Sequence, residues 1–130
     1  MLKKAFSLVQ IMIAILIMGI AFSSIILTFI SCCVLSEFNK SLTIASSHAQ
    51  YIMEEKKNLA STSAGFNSLV NESLTKVDIE DKGLDSLNSE NITVTVKNVT
   101  SDLKNITVEV FWKDFNRDRN ITLNTKIARP

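Results

Sequence analysis

The chain has 130 residues, 46% of them hydrophobic, and 14 Lys and Arg stand against 13 Asp and Glu. That length holds one small domain plus a segment, and the near-balanced charge gives no electrostatic drive toward nucleic acid or an anionic surface. One His and two adjacent Cys leave no material for a thiolate metal centre or a disulfide framework.

The N-terminal stretch departs from this average. Lys3 and Lys4 are the only charges before Glu37, and the 32 residues from Ala5 to Ser36 carry none. Such a run exceeds the roughly 20 residues that cross a ~30 Å hydrocarbon core, and it is too long for a secretory signal peptide, whose apolar region is about 7–15 residues. The positive flank puts the N-terminus on the cytoplasmic side and the rest outside. About ten apolar residues then lack lipid unless the helix tilts strongly or packs on something else. Cys32 and Cys33 close the run. As neighbours their Cα atoms lie about 3.8 Å apart, too close for a disulfide, so they read as small lipid-facing residues, with S-acylation as the alternative.

Beyond Ser36 the apolar residues change period. Phe38, Leu42, Ala45, Ala49, Ile52 and Leu59 form a helical stripe, with Lys40, Ser47, Glu54 and Lys57 off it. No Pro or Gly falls between Gly19 and Gly65. The sequence therefore predicts one helix from about Phe6 to about Ala60, roughly 80 Å long, stopped at Gly65. The run Glu54-Glu55-Lys56-Lys57 reads as a solvated face with near-neighbour pairs. His48 lies beside the stripe with no second ligand to make it a metal or catalytic group.

Residues 65–91 read as a variable loop with one short helical turn around Phe66, Leu69 and Val70. Three strands follow with period-two alternation: Ile92, Val94 and Val96; Ile106, Val108, Val110 and Trp112; Ile121, Leu123 and Ile127. Ser101-Asp102 and the segment Asp114 to Arg119 supply the turns. A small antiparallel sheet needs a lid, and the helical stripe provides one. The predicted fold is α+β, with residues 6–35 as a membrane half of one helix, 36–64 as its amphipathic half and 92–130 as a sheet of three or more strands packed on it.

Two minor patterns remain. Asp114, Asn116 and Asp118 have the alternate spacing with which calcium loops begin. Arg119 occupies the glycine position and Thr125 the final carboxylate position, so the segment reads as a hairpin turn. Six Asn-x-Ser/Thr sequons begin at Asn39, Asn71, Asn91, Asn98, Asn105 and Asn120. They define an alternative, a signal-anchored single-pass glycoprotein with a small binding ectodomain. No phosphate loop, nucleophile elbow or paired catalytic carboxylates occur, so neither an enzyme nor a cofactor is expected.

The basic leader, Ala5, Phe6, Ser7-Leu8-Val9 and the apolar run with Gly19 together resemble the N-terminus of type IV pilin-like proteins. Val108-x-Val110-x-Trp112, Leu123-x-Thr125-x-Ile127 and Ala49-Gln50-Tyr51-Ile52-Met53-Glu54 are similar to segments of minor pilins and type II secretion minor pseudopilins of the I/V kind. The resemblance implies residues 1–5 as a leader, prepilin peptidase cleavage between Ala5 and Phe6, and methylation of the Phe6 amine. It also implies assembly contacts through Phe6, Gln10 and Gly19. The partners it implies are membrane lipid first and other pilin or pseudopilin subunits afterwards, with the head outside the cytoplasmic membrane throughout. Two positions depart from the family pattern: Ala5 replaces the usual Gly, and Gln10 the usual Glu.

Overall fold

The computed structural model describes residues 8–130. The chain divides after Glu37 into two compact units, and one helix, α1 (Leu8–Leu59, 52 residues), contributes to both. The predicted helix is thus present, without a break. The second unit adds α2 (Ser63–Ser68), β1 (Glu72–Thr75), α3 (Lys76–Asp81), β2 (Asn91–Thr100), β3 (Leu103–Asp114) and β4 (Arg117–Ala128). The four strands form one antiparallel sheet in sequence order, and α1 packs on it, so the fold is α+β.

The contact between α1 and the sheet follows from side-chain size and period. Ala45, His48, Ala49, Ile52 and Met53 are the buried residues of α1, a spacing that keeps them on one face. Ala45 and Ala49 are fully buried, and the core cluster places them with Ile92, Val94, Ile106, Val108, Val110 and Trp112 of the central strands. The two alanines let backbone and sheet approach closely, and the β-branched residues fill the remaining space. Phe38 and Leu42 are half-buried. Leu59 is 46% exposed and so leaves the predicted stripe, because the helix end turns Ala60 inward instead. Ile121, Leu123 and Ile127 on β4, the edge strand, are only partly covered.

Two expectations need correction here. Gly65 does not stop α1. The helix ends at Leu59, and Gly65 sits inside α2, where Thr62 caps the new helix by accepting the Gly65 N–H at 3.1 Å. A Cβ at Gly65 would collide with the Leu59 carbonyl oxygen, so glycine is required for close approach. Residues 65–91 are not a plain loop either. Phe66, Leu69, Leu74, Ile79 and Leu87 are core residues, and β1 pairs with β2 through Leu74 and Ile92. A Thr75–Asp78 capping box starts α3: Asp78 accepts the Thr75 N–H and hydroxyl, both at 2.7 Å. These bonds hold the Asp78 carboxyl below its ordinary pKa. Gly83, at φ 74°, closes the helix with the Leu84 N–H bonded back to Ile79.

The β3–β4 turn is also tighter than expected. Asp114 pairs with Arg117, so Arg117, Asp118 and Arg119 belong to β4. The two residues left between them, Phe115 and Asn116, both have positive φ, 45° and 61°, as the two-residue hairpin with right-handed strand twist requires.

Replacing Gly65 by Ala should destabilise the head by roughly 3 kcal/mol, the scale of strained overpacking. Thermal unfolding of the full chain in detergent checks this, and an unchanged midpoint would contradict the close-approach assignment.

Candidate functional site

The first unit offers a surface rather than a cavity. From Leu8 to Ser36 the helix is exposed at every residue, and α1 contains a segment long and apolar enough to cross a membrane. Four of its hydroxyl side chains are bonded within the helix. The hydroxyls of Ser23, Thr28 and Ser31 donate to carbonyls four residues back at 2.8–2.9 Å, and Ser24 donates to Ala21 at 2.8 Å. Each is satisfied inside its own helix, which removes the cost of placing it in hydrocarbon or against another helix.

Gln10 and Gly19 stand on this surface. Gln10 is exposed in the first turns. A Cβ at Gly19 would meet nothing within 4 Å, so no contact among the described residues explains a residue that lowers helix stability by roughly 0.5–1 kcal/mol. Ala5 and Phe6, and with them the leader, the cleavage site and the methylated amine, lie outside the described residues.

The head carries polar contacts between elements, some of them buried, that sequence reasoning missed. His48 Nδ1 meets Glu90 Oε1 at 2.7 Å in the core, and Glu90 Oε2 accepts the Leu87 N–H at 2.7 Å. This ties α1 to the connection before β2. Lys56 is not part of a solvated face; it pairs with Glu72 of β1. Glu55 takes Lys82 at 2.8 Å, and its carboxylate raises the Lys82 pKa above the ordinary value. Within the run Glu54 to Lys57, Glu55 and Lys56 therefore bond to other elements, while Glu54 and Lys57 are exposed. Lys104 is buried on the inner sheet face, donating to the Phe66 carbonyl at 2.6 Å with its ammonium 4.8 Å from the Phe66 ring. Only the helical period carried a signal, since His48 and Lys56 fall three or four residues from Ala45, Ala49, Ile52 and Met53.

The acidic residues of the hairpin are not brought together. Asp118 lies opposite Lys113 and Asp114 opposite Arg117, so the two carboxylates point to opposite faces of the ribbon. No group of three or more potential metal ligands occurs among the described residues. Of the sequon asparagines, Asn71 accepts the Val96 N–H at 2.7 Å and Asn91 accepts the Ser73 hydroxyl at 3.2 Å. Those two side chains already serve the β1–β2 edge.

Comparison with protein families, with curated proteins and with solved structures gives no match.

Replacing His48 by Ala leaves the buried Glu90 carboxyl oxygen without that hydrogen-bond partner, which should cost roughly 1–3 kcal/mol. Chemical denaturation of the full chain in detergent measures it. A loss below about 1 kcal/mol, the scale of an exposed pair, would show that the contact does not hold the connection to α1.

Proposed function

We propose that the chain is a minor pilin or pseudopilin, a structural or assembly-priming subunit of a type IV pilus or type II secretion pseudopilus. The observation that carries this reading is the unbroken helix α1. Its apolar half is longer than a bilayer needs, and its amphipathic half packs on the sheet. The 29 residues from Leu8 to Ser36 extend about 44 Å at 1.5 Å per residue, against ~30 Å of hydrocarbon. A permanent anchor has no use for the difference. A helix that leaves the membrane for a bundle of like helices does, because packing against neighbours covers the whole length. The leader and the residues around Phe6 support the same reading through their resemblance to the family.

Gln10 refines the position within the filament. A glutamate there would pair with the ammonium of a neighbouring subunit, and such a buried charge needs its partner. Gln10 is neutral and tolerates the partner's absence, which suits a tip or priming subunit.

Mass spectrometry of filaments and membranes from cells making the native protein tests both statements. The expected species lacks Met1 to Ala5, carries one added methyl on Phe6, and is present at a small fraction of the major subunit. An intact N-terminus contradicts the pilin reading, and added hexose mass on such a species points to a signal-anchored glycoprotein. Processed protein in amounts equal to the major subunit contradicts the tip placement.

A further inference from the structure

The two edges of the sheet are finished differently. On one side β1 is four residues long, and beyond its end the Asn71 side chain accepts the Val96 N–H at 2.7 Å. On the other side β4 runs twelve residues, pairs with β3 without a bulge and contains no proline. No further strand lies along its outer side among the described residues. Native sheets seldom leave an edge this long and regular open.

The direction of the backbone groups along β4 follows from one bond and the register. The Lys113 N–H bonds to the Asn88 carbonyl, on the β2 side of β3. Backbone groups alternate sides along a strand, so Trp112, Val110, Val108 and Ile106 direct theirs to Arg119, Ile121, Leu123 and Thr125 of β4. The alternate residues Asp118, Asn120, Thr122, Asn124 and Lys126 therefore aim N–H and C=O groups away from the sheet, and all are exposed. On the inner face of the same strand, Ile121, Leu123 and Ile127 are only partly covered. A strand added here gains hydrogen bonds and apolar cover together.

We infer that the outer edge of β4 pairs antiparallel with the β4 edge of a second copy of this chain, with Thr122 at the two-fold axis. Charge complementarity selects both the occupant and the register. With Thr122 opposite its own counterpart, Asp118 stands opposite Lys126 of the second copy, and Lys126 opposite Asp118. Asn120 faces Asn124, and on the inner face Ile121 faces Leu123. Opposite charges, matched polar groups and apolar pairs are the cross-strand contacts that stabilise a sheet. Sliding one copy by two residues in one direction sets Arg117 opposite Arg129 of the other. The reverse slide leaves Asp118 and Lys126 facing Asn124 and Asn116. A slide of one residue sets the apolar row against the outer face. Lys126 alone guards the edge against foreign strands, and Asp118 lifts that guard for a second copy. The contact is isologous, so it closes at two chains.

The axis of such a pair stands normal to the sheet. The packed half of α1 lies along the inner face, with Phe38 against Arg119 and Met53 in the core, so the two copies of it run in opposite directions. Heads that approach from opposite sides make this contact, and neighbours standing parallel in one membrane or one filament do not. The inference is independent of the filament reading.

The full-length chain, with Cys32 and Cys33 replaced by Ser, is examined in detergent micelles by sedimentation equilibrium and by oxidative cross-linking. The expected state is a monomer–dimer equilibrium. Asp118→Lys sets two lysines against each other at both ends of the contact and should weaken dimerisation roughly tenfold or more. Adding Lys126→Asp restores opposite charges and should restore the dimer. Directly opposite residues of a hydrogen-bonded pair lie about 5.5 Å apart at Cα, within reach of a disulfide. Thr122→Cys should therefore oxidise to a covalent dimer, and Asn120→Cys, which faces Asn124, should not. A chain that stays monomeric at every concentration overturns the proposal. So does an Asp118→Lys chain that dimerises as its parent does, a folded charge-swapped chain that fails to recover, or equal cross-linking at positions 122 and 120.

Discussion

The head depends on how closely α1 approaches the sheet at Ala45 and Ala49. Two residues without side-chain bulk, one turn apart, let the helix settle against Ile92, Val94, Val108 and Val110, all fully buried. Ile52, Met53 and Phe66 close the space beyond them. Burial of each large side chain contributes about 1.5–3 kcal/mol, so a domain this small draws most of its stability from this one layer. The polar contacts then fix position. His48–Glu90, buried, and Lys56–Glu72, part-exposed, tether the same helix to the β2 entry and to β1.

That constraint has a consequence for the other half of α1. Helix α1 runs from Leu8 to Leu59, and the interval between Gly19 and Gly65 has no Gly or Pro. One element therefore combines an exposed apolar half with a half that packs on the sheet. Its hydroxyls are bonded inward, its glycine is unexplained by any internal contact, and its apolar length exceeds a hydrocarbon core. An exposed apolar surface of that extent calls for cover.

The large features were legible in the sequence because each had a strong period. The helix is long and free of breakers, and β2, β3 and β4 alternate β-branched residues over several positions. What escaped is short or nonlocal. Strand β1 has four residues, too few for alternation to stand out, although Thr75-x-x-Asp78 did carry the signal for the start of α3. The partner of His48 lies 42 positions away at Glu90, and no local pattern predicts such a pair. The two-residue turn was misjudged for a definite reason: Phe115 and Asn116 hold positive φ without a glycine, the residue that usually marks such a turn.

The native cysteines offer the most direct test that protein, in addition to lipid, covers the apolar half of α1. Leu8 to Cys33 spans about 38 Å of helix, beyond a ~30 Å hydrocarbon core, and both Cys32 and Cys33 are exposed on the helix. A membrane-impermeant maleimide is applied from outside to cells making the chain alone and to cells assembling filaments. The account predicts labelling of Cys32 and Cys33 in the unassembled subunit and protection after assembly. Equal labelling in the two states would contradict it.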